Sequence, residues 1–292
     1  LEYIIIDGGS TDGTLDILKK YSDQITYWIS EPDKGQSHAI NKGLKLATGE
    51  VFNWLNSDDY YLPNALLTVG QYFAEYPDVN VLCGHEQHLL VDGSFASYTL
   101  TTPIFTSVEE MMAHHHITQP PTFFRLSVFK TLGALHENLG FCMDADFWLR
   151  YLAHYGKASL GSIPTVLNVF RYHDQSKSVN QRQVYLSDKF NLLLSLIDSC
   201  SPDDFPYPSS KDIKGFERYF TARYPLSKTL NRSHIKAFVA VQLIVFFKKH
   251  MTWCYFWRLY FYVLKTKLLG HSNLFYGSPL LKIRQHLRQL KT

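Results

Sequence analysis

Val51-Phe52-Asn53-Trp54-Leu55-Asn56-Ser57-Asp58-Asp59 is an apolar run that ends on two adjacent acids. Read as a strand and its exit, it places both carboxylates where open α/β sheets bind ligands, in the crevice beyond the strand ends. Two crowded carboxylates repel, and a hard divalent cation relieves the repulsion. Mg²⁺ or Mn²⁺ takes one or two protein carboxylates and fills its other positions with substrate phosphate and water. An earlier run, Tyr3-Ile4-Ile5-Ile6, ends similarly in Asp7-Gly8-Gly9-Ser10. Two acid-tipped strands opening onto one crevice suit an enzyme that handles nucleotides.

Outward from these runs the chain alternates strand and helix signals. Tyr3 to Ile6 reads as a buried strand, and Ser10 or Thr11 as the cap of a helix to about Tyr21. Asp12 suits the positive end of that helix. A strand at Thr26–Ser30, a helix from Ser37 to Leu46, the Val51–Leu55 strand, a helix from near Pro63 and a strand at Val79–Cys83 follow. Such alternation predicts an α/β fold with a mostly parallel central sheet. Asp92-Gly93 reads as a hairpin turn, and Ser107-Val108-Glu109-Glu110 as a capping box. A helix runs from Asp144 to about Tyr155, with Gly156 as its stop.

The motifs Ile6-Asp7-Gly8-Gly9-Ser10-Thr11-Asp12-Gly13-Thr14, Glu31-Pro32-Asp33-Lys34-Gly35, Ala39-Ile40-Asn41-Lys42-Gly43 and Asn56-Ser57-Asp58-Asp59 occur in the order and spacing of family 2 glycosyltransferases. Met143-Asp144-Ala145-Asp146-Phe147-Trp148-Leu149-Arg150 resembles the segment that carries that family's catalytic acid. Arg171-Tyr172-His173 with Ser176-Lys177-Ser178 is similar to the close of its nucleotide-binding domain. The resemblance covers roughly Leu1 to Asn180. It implies a GT-A fold, Rossmann-like, with a catalytic domain at residues 1–180 and a helical carboxy-terminal region at 181–292. Relatives open with a further strand, loop and helix, so the chain reads as amino-terminally incomplete by about thirty residues, a minimal βαβ unit. Asn56 stands where many relatives have the first Asp of an Asp-x-Asp motif, which leaves Asp58 and Asp59 to carry the metal.

The activity implied is a metal-dependent, inverting transfer of sugar from a nucleotide-diphosphate donor to a glycan, polysaccharide or lipid-linked acceptor. Asp58 is then the direct metal ligand, and Asp59 bonds the metal, its waters or the donor. His173 closes the metal and diphosphate site. An imidazole ligand favours Mn²⁺ over Mg²⁺. The resemblance places Asp7 on the nucleobase or ribose, Asp33 and Lys34 in a second nucleotide-contacting loop, and the general base at Asp144, with Asp146 as its structural partner. Gln119, Pro120, Pro121 and Thr122 are expected to shape the acceptor side of the cleft. The consecutive His114-His115-His116 cannot easily converge on one ion and reads as a neutral cluster.

Composition supplies the remaining expectations. The net charge of +3 conceals an asymmetry, because residues from Arg218 onward hold fourteen Lys and Arg and no acid. The rest of the chain carries a net charge of −11. A stretch in which Trp253, Tyr255, Phe256, Trp257, Tyr260, Phe261 and Tyr262 crowd between basic residues such as Lys248, Lys249 and Arg258 has the composition of a membrane interface. Neither apolar run there reaches the ~18 uninterrupted residues of a spanning helix. Four scattered Cys without a C-x-x-C pair fit reduced thiols. The enzyme is therefore expected in the cytoplasm, peripheral at the inner membrane face, with no nucleic-acid partner. Two other readings stand beside this one: a nucleotidyltransferase acting on sugar phosphates, for which a Gly- and Arg/Lys-rich phosphate loop is missing, and an inactive glycan-binding homologue.

Overall fold

A computed structural model describes residues 1–174, 181–201, 204–209 and 211–266, the side chain of Lys248 excepted. The Ser176-Lys177-Ser178 segment and the basic stretch beyond Thr266 lie outside the described residues. The chain divides into two compact units. The first comprises Leu1–Ile104 and His115–Asp188, the second Phe105–His114 and the chain from Lys189 onward.

In the first unit, strands β1 (Ile4–Asp7) and β2 (Tyr27–Ser30) pair in parallel, with Asp7 opposite Ser30. Between them lies helix α1 (Thr14–Lys20), which begins later than the sequence suggests. Ser10 is drawn back to Asp7 through its N–H and hydroxyl, and the helix opens only at Gly13, without a side-chain cap. Asp12 just before it accepts the Thr14 N–H at 3.2 Å. Helix α2 (Gln36–Leu46) follows and packs on β1.

The larger sheet runs in the order β3 (Val51–Phe52), β7 (Thr122–Arg125), β5 (Val81–Leu89), β8 (Leu160–Arg171), β4 (Tyr60–Tyr61), with β6 (Phe95–Thr101) beside the second half of β5. It is mixed rather than mostly parallel. β5 and β8 are parallel, whereas β7, β6 and β4 each pair antiparallel. The alternation read from the sequence holds only as far as β5. After it the chain doubles back through the Asp92-Gly93 hairpin, where Gly93 has φ 82°, a left-handed value that costs a glycine nothing. β3, β5 and β8 run in the same direction, but Phe52 at the end of β3 is level with Val81 at the start of β5, so the exit 53–59 rather than the strand itself carries the acids to the ends of β5 and β8.

β3 is shorter than predicted because Asn53 and Trp54 leave the ladder for specific partners. Asn53 Nδ2 donates to the carbonyls of Pro120 and Thr122 at 2.9 and 3.1 Å. Trp54 stacks on Phe124, and Phe129 and Phe147 stack at 4.2 Å. This aromatic cluster joins β3 and β7 to α5 (Leu126–Leu132) and α6 (Met143–Tyr155). Each such ring buried stabilises the unit by roughly 1.5–3 kcal/mol, so the segment bearing Asp144 rests on a stiff base. Between β4 and β5 runs α3 (Ala65–Glu75), and Gly156 ends α6 as expected.

The second unit is helical. α4 (Val108–His114), capped by Ser107 through the Glu110 N–H at 3.1 Å, packs against α8 (Arg232–Phe247), which packs against α9 (Trp253–Lys265). A longer helix, α7 (Arg182–Ser199), precedes them in the chain. α8 is buried on nearly every side, Lys236 included, whose ammonium pairs with Asp204. The lysine that interrupts the apolar run is thus a compensated buried charge. Among the described residues no helix is long and apolar enough to cross a membrane.

Candidate active site

Asp7 ends β1 with its carboxylate buried. Its Oδ2 accepts the N–H groups of Gly9 and Ser10 at 3.0 and 2.9 Å and the Ser30 hydroxyl at 2.6 Å. Burial alone would raise its pKa, but these donors outweigh it and hold the group at about 2. Asp7 therefore stays ionised and shapes the 7–10 loop. The second loop closes over it. A Cβ on Gly8 would sit 2.7 Å from Asp33 Oδ2, so a side chain there would have to displace the Asp33 carboxylate from the loop it bonds. Asp33 Oδ1 accepts the Gly35 N–H at 2.7 Å, while Lys34 is exposed and donates its backbone N–H to His38.

The turn that opens α2 is tied to the acid loop, with Gln36 Nε2 donating to Asn56 Oδ1 at 2.5 Å. Asn41, buried in the same helix, reaches the other way. Its Nδ2 donates to Leu135 O and Glu137 Oε1 at 2.9 and 3.0 Å, and its Oδ1 accepts the Leu135 N–H at 2.9 Å. One helix thus touches both the acid loop and the segment leading to α6.

Asp58 and His173 meet where the β3 exit crosses the end of β8. Oδ2 of Asp58 lies 3.0 Å from His173 Nε2, and both side chains are partly exposed. Arg171 fastens the crossing through its guanidinium on Asp58 O and its N–H on Asp59 Oδ1 at 3.0 Å. Asp59 points inward, away from the surface that Asp58 and His173 share. Its Oδ2 is buried without a hydrogen bond of good geometry, although the Asn56 side chain lies near. Burial pushes this carboxyl up to about 7, and the charges of Asp58 and Glu86 add to the rise.

A polar cluster that the sequence reading missed lies beneath this crossing. Glu86 and His88 on β5 are 4% and 3% exposed. His88 Nε2 is 3.0 Å from Glu86 Oε1, and Asn168 Nδ2 donates to Glu86 Oε2 at 2.8 Å. Burial alternates in this half of β5, but polar residues occupy both faces (His85 and Gln87 on one, Glu86 and His88 on the other), so no apolar alternation marks the buried pair.

Asp144 opens α6 with part of its surface accessible, although protein crowds it on most sides. Burial raises its carboxyl to about 6, against hydrogen bonds from backbone N–H groups and with help from Asp188. Asp146 differs in every respect. It is fully buried, accepts Arg150 Nε at 3.1 Å and has His136 Nδ1 at 2.9 Å. Arg150 in turn holds Leu132 O and Ala134 O. Asp188 on α7, also missed, accepts the N–H groups of Phe141 and Cys142 just before α6.

Gln119 is buried, its amide donating to Asn53 Oδ1 and Trp54 O at 2.9 and 2.8 Å. It braces the β3 exit from below. His114 stacks on Phe105, and His115 adopts φ 36°. Among the described residues no group of three His, Cys, Asp or Glu side chains is arranged to hold a metal. The Asp58–His173 pair nevertheless fits a hard divalent cation of the kind that takes few protein ligands and completes its shell with phosphate and water.

Residues 1–150 match the sequence profile described as Glycosyl transferase family 2. The chain belongs to that family. This family 2 glycosyltransferase is 31% identical over 160 residues to an uncharacterized glycosyltransferase of Rickettsia typhi, covering 52% of this chain and 49% of that one. It is 26% identical over 153 residues to a PGL/p-HBAD biosynthesis glycosyltransferase of Mycobacterium bovis, covering 51% and 57%. The chain thus spans about half the length of the curated relatives it matches. Its fold is similar to S. aureus TarS residues 1–349 in complex with UDP-GlcNAc, with TM-score 0.55, 16% identity, and coverage of 85% of this chain and 65% of that one. Membership supports the glycosyltransferase over the nucleotidyltransferase reading.

Proposed function

We propose that this family 2 glycosyltransferase moves a sugar, with inversion, from a nucleotide diphosphate to an acceptor hydroxyl on a glycan, polysaccharide or lipid-linked saccharide. The observation that carries the reading is the Asp58–His173 pair at 3.0 Å, set over the buried Asp59 where β5 and β8 end. The loops of Asp7 and of Asp33 and Lys34 form the nucleotide side and are coupled to the acid loop through Gln36 and Asn56. Asp58 and His173 would hold Mn²⁺ or Mg²⁺, which when bound neutralises charge on a departing diphosphate.

Asp144 takes the proton of the acceptor hydroxyl as that oxygen attacks the anomeric carbon and the bond to the diphosphate breaks. Its raised pKa makes it a better proton acceptor than an exposed aspartate, yet it is still ionised at neutral pH. Asp146 keeps the helix start in place through Arg150. Direct attack from the face opposite the leaving group inverts the centre, and no second acid is placed for a covalent intermediate among the residues gathered here. That TarS of the same fold is seen with UDP-GlcNAc supports a nucleotide-sugar donor.

Thermal unfolding tests the donor site. In the presence of Mn²⁺, one of UDP, GDP or another nucleoside diphosphate at 100 times its Kd should add about 2.7 kcal/mol of apparent stability. A panel that leaves the melting temperature unmoved, with and without Mn²⁺, would sink the nucleotide reading.

Within residues 181–292 we propose peripheral binding to an anionic membrane, now located on one face of α9. Tyr255, Phe256, Leu259, Tyr260 and Val263 are buried, while Trp253 and Phe261 are 68% and 55% exposed. Trp253, Trp257 and Phe261 recur every four residues and contact one another, and exposed Arg258 and Lys265 flank them. Each basic residue near an anionic bilayer adds about 1 kcal/mol of attraction. The protein should sediment with phosphatidylglycerol-containing vesicles at low salt and be partly released as salt rises. A Trp253→Ser, Phe261→Ser double variant should stay in the supernatant. Equal sedimentation of the two proteins would refute the assignment.

A further inference from the structure

Beside the groove at Asp58 and His173 lies a second open trough, lined by Leu90, Val91, Asp92, Tyr98 and Tyr172 at the β5–β6 hairpin. The two share Leu90 and Tyr172 as walls. None of the lining residues comes from the loops 7–10 or 31–35 that form the nucleotide side. Tyr98 is half exposed on edge strand β6, and Tyr172 follows the last residue of β8.

These two tyrosines are held from below. The His88 ring lies 5.3 Å from Tyr172 and 5.6 Å from Tyr98, edge-to-face with both, and Phe170 packs on Tyr172 at 5.0 Å. Glu86 fixes the His88 ring, and Asn168 fixes Glu86. A buried carboxylate and imidazole are costly to place in a core unless they are paired and serve a purpose. Here they pre-orient two rings whose outer surfaces face a trough. At the hairpin tip Asp92 is exposed, with Oδ1 accepting the Ser94 N–H at 2.9 Å.

Rigid aromatic faces beside an exposed carboxylate match the chemistry of a pyranose ring. Its C–H face lies on an aromatic surface, and its rim hydroxyls donate to carboxylates. We infer that the trough from Tyr172 to Tyr98 and Asp92 is a distal acceptor subsite, which takes a neutral sugar unit of the acceptor away from its reacting hydroxyl. The inference rests on the transferase reading, because the acceptor must be a saccharide longer than one unit. Glu86 and His88 are positioning residues for this platform.

The test uses the full chain and a panel of neutral gluco-, galacto- and manno-oligosaccharides of two to six units, α- and β-linked. Binding is followed by saturation-transfer NMR, and UDP and GDP affinities with Mn²⁺ are measured in parallel. The wild type should bind at least one series, more tightly as length grows. Tyr98→Ala should weaken it about ten-fold, and Tyr98→Trp should restore it. Circular dichroism checks that the edge-strand variants are folded. Glycan binding unaffected by Tyr98→Ala, or no binding to any glycan of the panel, would overturn the subsite. A long-chain polyprenyl phosphate whose binding depends on Tyr98 when glycan binding does not would overturn it too, in favour of a lipid groove. If glycans bind through Tyr98 but no nucleoside diphosphate binds, the donor reading fails and the subsite stands.

Discussion

Asp144→Asn is expected to lower transfer by about 10²–10⁴-fold, the usual contribution of a positioned general base, while nucleoside diphosphate affinity stays near that of the wild type. Burial, aided by Asp188, raises the Asp144 carboxyl to about 6, so wild-type turnover should fall with an acid limb near that pH. Stability should move the opposite way. The folded-state pKa lies above the ordinary 3.8, so the folded protein holds the proton more tightly, and ionisation between pH 3.8 and about 6 costs stability as pH rises. The Asn variant lacks that cost and should be no less stable at pH 7. Asp146→Asn is the contrast. It leaves the buried Arg150 without its carboxylate and should destabilise by about 3 kcal/mol, seen as an early urea midpoint. If Asp146→Asn kept full stability and abolished transfer, the two acids would have exchanged roles.

The second large effect concerns the metal. Asp58→Asn keeps the shape of the side chain and removes the charge beside His173. Loss of such a stabiliser of developing charge typically costs about 10²–10³ in turnover. Exhaustive chelation of the wild type should do the same, and Mn²⁺ should restore it. Chelation should have little further effect on Asp58→Asn. Undiminished transfer by the wild type in excess chelator would exclude Asp58 and His173 as a metal pair.

Much of this site is visible in the chain because its key residues sit in short loops at strand ends. The Asp58-Asp59 pair, the Asp7 loop and the Asp144 helix start are each local patterns, and local patterns survive in a single sequence. Which acid of a pair faces the cleft is set by partners far along the chain. Arg171 turns Asp59 inward from 112 residues away, and Arg150 engages Asp146 only once α6 has formed. Glu86 and His88 were hidden for a different reason. Burial alternates along the second half of β5, but His85, Glu86, Gln87 and His88 are all polar, so the apolar alternation that flags a half-buried strand is absent from the sequence. The antiparallel β7 and β4 escaped notice although β1 and β2, as short as β7, are legible. β1 and β2 sit in a regular strand–helix alternation, whereas β7 and β4 find their partners only through distant β3, β5 and β8.

Asn41 gives the architecture a property that matters for engineering. Its amide is shared among Leu135 and Glu137, 94 and 96 residues away, while its helix begins at Gln36, which grips Asn56. The stretch proposed to receive the nucleotide and the stretch proposed to present the base are therefore not interchangeable modules. A hybrid enzyme built by joining the first fifty residues of one homologue to the remainder of another must carry position 41 and the 135–137 turn as a matched set. Without that match the seam would leave a buried amide with no counterpart, at a cost of about 1–3 kcal/mol for each orphaned group. Donor preference and acceptor preference in this chain would then be recombined only along the Asn41 junction.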